Sequence, residues 1–260
     1  MKLRLTRLFV LVLTAALVLA ACGSQNSSGG ATQNTPAAPS NSSGGPSTLN
    51  IGKDFNLDPA LASDSDSKTV AGHLYEGLIR VDNGKIVPSL ASSWQVSDDG
   101  LDYIVTLRQG VTFHDGKAFS ADAVSANFNR WFDTASSLHG SGTYDAWVAN
   151  FNGFKGETGD GGKPKSNFDG AEKVDEFTVL LHLNEPDDNF LTKLADPAFS
   201  IVSPDALAAA GFGTSGGADG GTGAYKISAW SNSGITLEPF PAYWDTANIP
   251  ASNLEFKFSQ

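Results

Sequence analysis

From Gly23 to Ser47 the chain carries no charge and no large apolar side chain, only Gly, Ser, Asn, Gln, Thr, Ala and Pro. Such a stretch cannot offset its ordering entropy by burial, so it is predicted to stay disordered, with an end-to-end distance of roughly 25–30 Å. Any folded body is thereby confined to residues from Thr48 onward. That body must be held by packing alone, because the one cysteine of the 260-residue chain is Cys22 and no disulfide can form. Sixteen Phe, five Trp and five Tyr suffice for one large domain or two modest ones.

Upstream of this stretch, Lys2, Arg4 and Arg7 precede an apolar run from Leu8 to Ala21. A basic flank, a short apolar core and small residues at its end make residues 1–21 a secretory leader. The motif Leu19-Ala20-Ala21-Cys22 resembles the lipobox of bacterial lipoproteins, in which the cysteine is acylated and becomes the mature N-terminus. The resemblance implies a lipid anchor at Cys22, a tether over residues 22–47, and a folded part held on the outer face of a membrane. Loss of the leader removes three basic groups and deepens the formal net charge of −11. Nucleic acid and anionic headgroups are poor partners for that charge.

The remainder reads as mixed α and β. Leu49 to Ile51 is a short strand, and Val70, Leu74 and Leu78 recur at helical spacing, which predicts a helix over about 67–77. Strands at 79–81 and 86–87 flank a turn at Asp82 to Lys85, and strands at 94–96 and 103–108 flank Asp98-Asp99-Gly100. A helix opens at Ser120 with Val124, Phe128 and Trp131 on one face. A β-rich run covers 177–183, an amphipathic helical stretch 190–194, and Ser203-Pro204-Asp205 starts a helix that stops at Gly211. Strands at 224–230, 235–238 and 254–258 complete the reading.

An ordered series of short motifs runs through this region. It includes Leu57-Asp58-Pro59, Tyr75-Glu76-Gly77-Leu78, Pro88 to Trp94, Leu107 to Gly116 and Ser120-Ala121-Asp122. Glu185-Pro186, Gly221 to Lys226 and Tyr243-Trp244 continue it. In that order the motifs resemble the extracytoplasmic solute-binding proteins of peptide and nickel ABC importers, family 5, and cover about the first half of the family pattern. Ala224 stands where the family often has Pro. The resemblance implies an α/β, periplasmic-binding-protein-like type II fold, with residues 48–75 and 200–260 in a first, mixed-sheet lobe. It further implies that residues 76–199 form a smaller, inserted, β-rich α+β domain and that the family's C-terminal lobe is absent.

It also implies a function without chemistry: capture of a peptide between closing lobes and delivery to a membrane permease, by a monomer that is not an enzyme. Peptide-binding relatives set the loop after Asp-Pro against the ligand backbone, which on this chain brings in Ser63, Asp64 and Ser65. Those residues equally suit the cap of the following helix. Tyr144 and Trp147 stand where aromatics of the inserted domain approach the ligand in some members, although isolated aromatics more often serve a core. Nickel complexes or oligosaccharides are alternative cargo on the same fold. A surface-anchored hydrolase is the alternative of another class, and an adhesion or sensory lipoprotein a third.

Other motifs fail on their context. Gly213-Thr214-Ser215-Gly216-Gly217 fits the pattern of a nucleophile elbow but follows a helix rather than a strand. Glu157 and Pro164 break a P-loop reading of Gly162-Lys163. Asp54, Asn56 and Asp58 alternate as in a calcium loop, yet Pro59 and Ser65 occupy its required positions. His73 and Glu76, three apart, could share a metal, but Glu76 belongs to a structural signature of the family, and no metal or other cofactor is expected.

Overall fold

The computed structural model describes residues 47–52 and 56–259, all within one compact unit. The leader, the tether up to residue 46, Cys22 and Asp54 lie outside the described residues.

Strand β1 (Ser47–Ile51) opens the described fold, and helix α1 (Ser65–Leu74) follows the loop after Asp58-Pro59. Asp64 caps α1 by accepting the Ser67 backbone N–H at 2.7 Å. The helix ends at Leu74, earlier than the apolar spacing predicts. Tyr75 is extended, and Glu76-Gly77 form a short strand, β2 (Glu76–Gly77). Leu78 therefore reaches the core from a strand end and not from a helix face.

The hairpin of β3 (Ile79–Asp82) and β4 (Lys85–Pro88) closes on Asn83 and Gly84 at φ +49° and +75°. That is the left-handed pair a two-residue turn requires. β5 (Ala91–Val96) and β6 (Asp102–Leu107) pair antiparallel across Asp98-Asp99-Gly100. Helix α2 (Ala121–Phe132) then buries Val124, Phe128 and Trp131 on one face. Ser120 stands at its N-cap position without a side-chain bond to the helix.

Two elements escape the sequence reading. Helix α3 (Asp145–Phe151) is short and lies between Tyr144 and Asn152, both left-handed, so it shows too little periodicity to register. Strand β7 (Phe168–Asp175) is a charged edge strand interrupted twice in register, as edge strands often are. β8 (Thr178–Leu183) buries Val179, Leu181 and Leu183 in strict alternation. After α4 (Phe190–Leu194), β9 (Ser200–Ile201) pairs antiparallel with β2. Helix α5 (Pro204–Ala208) ends short of Gly211. β10 (Tyr225–Ser231), β11 (Gly234–Pro239) and β12 (Leu254–Phe258) complete the described fold.

Besides the two-stranded pairs β2-β9 and β3-β4, the described strands form two four-stranded sheets. One runs β5-β6-β8-β7, all antiparallel, with α2 packed on β7 and β8. The other runs β1-β12-β11-β10 and is mixed, because β1 joins β12 in parallel. Two hydrophobic clusters accompany them. The first draws its buried residues from Leu78 to Ile201, with Ala60 added. It is dominated by aromatic contacts such as Phe128 on Phe168 at 5.3 Å and Trp131 on Phe199 at 5.4 Å. The second gathers Ile51 to Tyr75 and Val202 to Phe256. The chain passes between them at β2 and β9, which are hydrogen-bonded to each other.

Candidate functional site

The loop between β1 and α1 is anchored at both ends. Leu57 belongs to the second cluster and donates its N–H to the Gly213 carbonyl at 2.8 Å, while Ala60 belongs to the first. Between them Asp58 organises a tight turn. Its carbonyl accepts the N–H groups of Leu61 at 3.0 Å and Ala62 at 2.9 Å, and its Oδ1 accepts that of Ala60 at 3.1 Å. The Asp58 carboxylate is buried against the Arg130 guanidinium of α2, with Nη1 donating to Oδ1 at 3.1 Å and Nη2 to Oδ2. Planar fork-to-fork pairing of this kind fixes direction as well as distance.

Ser63, Asp64 and Ser65 follow this turn and are exposed. The capping role holds for Asp64. Although slight burial pushes its carboxyl upward, the bonds from the Ser67 hydroxyl and backbone keep it below the usual carboxylate value. Ser65 opens α1 and offers its carbonyl to the Thr69 hydroxyl at 2.7 Å. Beside the loop lies a shallow recess of about 20 Å³, open to solvent and lined by Pro59, Ala62, Lys68, Ala71, Gly72, Pro197, Ala198 and Ser200. It is bounded by the loop, α1 and the segment just before β9. Its lining is mostly small and apolar, with the Lys68 side chain and the single hydroxyl-bearing residue Ser200 at its polar margin.

Tyr144 and Trp147 stand elsewhere. Both are buried in the first cluster, with the Tyr144 hydroxyl donating to the His139 carbonyl at 2.5 Å and the Trp147 indole to that of Gly153 at 3.0 Å. In this structure they are core residues with their polar atoms engaged inside the protein, and neither lines the recess. Tyr144 nevertheless lies under the Arg130 guanidinium, 5.3 Å from its ring centre, directly behind the Asp58 turn.

Two polar clusters went unseen in the sequence. Glu76 receives three donors at 2.9 Å: the Thr222 hydroxyl, the Tyr243 hydroxyl and the Trp244 indole N–H. Burial raises its carboxyl above the ordinary value, against the opposite pull of these donors and of His114. Arg108 stacks over Trp244 at 3.9 Å. The His114 ring faces Asp219 Oδ1 at 2.7 Å through Nδ1 and the Gly223 carbonyl at 2.9 Å through Nε2. Both clusters join residues more than 100 positions apart, so no local pattern reveals them.

The motifs set aside on context have ordinary surroundings. Gly213 and Gly216 are left-handed loop residues after α5, with no strand before them. His73 packs against Tyr225 and Phe256 rather than joining Glu76, and burial lowers its basicity. Among the described residues no group of three or more His, Cys, Asp or Glu is placed to hold a metal. Among them, too, no helix is long and apolar enough to cross a membrane.

Comparison with known proteins places this geometry. The profile of bacterial extracellular solute-binding proteins, family 5 Middle, matches residues 85–260. The glutathione-binding protein GsiB of Pectobacterium atrosepticum is 37% identical over 203 residues, which are 77% of this chain and 35% of that protein. The DppA periplasmic binding protein of Helicobacter pylori, solved with the peptide STSA, is 26% identical with a TM-score of 0.64, covering 83% of this chain and 43% of its own. HbpA2 of Haemophilus parasuis superposes at a TM-score of 0.69 with 26% identity, again over 83% and 43%. This chain spans about a third of the length of the curated relative it matches.

Proposed function

Because the chain belongs to the bacterial extracellular solute-binding proteins of family 5, whose fold is that of type II periplasmic binding proteins, we propose that it captures small peptides outside the cell and hands them to an ABC permease. Glutathione, a γ-linked tripeptide, is the first candidate cargo, and the observation that carries this is the 37% identity to a glutathione-binding protein. The protein acts by binding and release, with no bond of the guest made or broken. Cys22 carries the lipid anchor and residues 22–47 the tether.

The exposed Ser63-Asp64-Ser65 loop and the recess beside it form one wall of the guest's site, and backbone groups there suit an extended peptide. Tyr144 supports that wall indirectly, through Arg130, while Trp147 serves the core. Residues 48–75 with 200–260 form one lobe and 76–199 an inserted domain. The separate clusters at 51–75 with 202–256 and at 78–201 support this division.

The test is calorimetric titration of the family-length protein carrying this sequence with glutathione, di- and tripeptides, nickel complexes and oligosaccharides. Micromolar or tighter binding of a peptide, recovered intact by mass spectrometry, is the expected result. Recovery of cleaved peptide would favour the hydrolase, and binding of no peptide at all would overturn the proposal.

A further inference from the structure

The Asp58–Arg130 pair is buried on both sides, each side chain 5% exposed. A pair so far from water gains little stability over apolar residues of the same volume, so its value is sought in what it orients. Asp58 begins the turn that delivers Ser63, Asp64 and Ser65 to the surface, and its backbone and side-chain oxygens hold the amides of residues 60, 61 and 62. Arg130 is buried, with its guanidinium bonded on two sides. It stands on α2, which is held in the first cluster by Phe128 and Trp131, whose rings are 5.0 Å apart.

The same guanidinium holds a second segment. Arg130 Nε donates to the Leu138 carbonyl at 3.1 Å, and the Arg130 carbonyl faces His139 Nδ1 at 2.7 Å. His139 stacks on Tyr144 at 4.4 Å. Leu61, the residue just past Asp58-Pro59-Ala60, presses on the far end of this segment. A Cβ built on Gly142 would meet Leu61 Cδ2 at 2.5 Å. One guanidinium thus clasps the turn before the exposed loop and the glycine-rich segment beside it to a single rigid helix.

We infer that Arg130 is a positioning residue for the solute-facing loop, acting through Asp58 and touching no guest itself. This rests on the proposed role of Ser63, Asp64 and Ser65. The test is amide hydrogen exchange on the intact chain, which needs no guest. In the unaltered protein the amides of Leu61 and Ala62 exchange as slowly as those of β6 and β8; free-coil rates there would overturn the inference outright. Arg130→Lys keeps the charge but loses the fork. It should speed exchange across residues 60–66 by about ten-fold or more while β6 and β8 keep their rates. A purely structural pair would move loop and sheet together, or neither, and either pattern overturns the assignment. Asp58→Glu, which keeps the charge at the wrong reach, should repeat the loop-selective effect if Arg130→Lys does not fold. A loop-selective effect in a protein that binds no peptide would retain the clasp and remove only the peptide reading.

Discussion

Glu76 shows how much one carboxylate organises when it is buried among donors. Its three bonds join β2 to the Gly221–Gly223 loop and to Tyr243-Trp244. Glu76→Gln turns one oxygen into an NH2 group, so at least one buried donor loses its acceptor. A loss of about 1–3 kcal/mol in denaturant unfolding is expected. The sign of the pH effect follows from the raised carboxyl. The folded state binds this proton more tightly than the unfolded chain, so the contribution is complete below about 4.5 and fades as pH climbs through the raised value. The stability gap between wild type and Glu76→Gln should therefore narrow from acidic pH toward neutrality; a widening gap would reverse the argument. None of this was legible in the sequence. Glu76 and Trp244 are 168 positions apart, as Asp58 and Arg130 are 72 apart, and no spacing rule links residues that only folding brings together. Asp64 was legible because its partner, Ser67, is three residues on.

At the scale of elements, alternation and turn chemistry carried most of the information. The Asn-Gly turn, the antiparallel strands around Asp98-Asp99-Gly100 and the apolar stripe of α2 stand where the sequence puts them. The end of α1 was misplaced because Leu78 continues a helical spacing that Glu76-Gly77, paired to β9, does not obey. Glycines explain how closely elements approach there. Gly221 and Gly223 run against the last turn of α1, and a Cβ on Gly221 would fall 1.9 Å from the Leu74 carbonyl oxygen. Gly221→Ala should cost about 2–3 kcal/mol or more in thermal or chemical unfolding, since backbone must move to admit the methyl. Gly72, inside α1, has nothing within 4 Å of its would-be Cβ. Gly72→Ala should accordingly gain about 0.5–1 kcal/mol from helix propensity alone. A loss there would show that the neighbouring recess needs the space.

For the whole molecule, the order of the motifs over 200 residues made the family legible, whereas the cargo is not written in any of them. The chain spans about a third of a curated relative, and a guest enclosed by two lobes is defined by both. Residues 48–260 produced alone should bind glutathione and dipeptides weakly or not at all. Micromolar heat signals from that fragment would show that one wall suffices. Cys22→Ser should shift the exported protein from the membrane fraction to the soluble one, and persistence in the membrane pellet would remove the anchor.

The parallel pairing of β1 with β12 sets Thr48 opposite Glu255, 207 positions along the chain. That sheet cannot close until nearly all of the described residues have been synthesised, while the contacts of the aromatic cluster are drawn almost wholly from 78–201. β1 finds no partner in this sheet until β12 has been made, so premature locking of the sheet is deferred by connectivity alone.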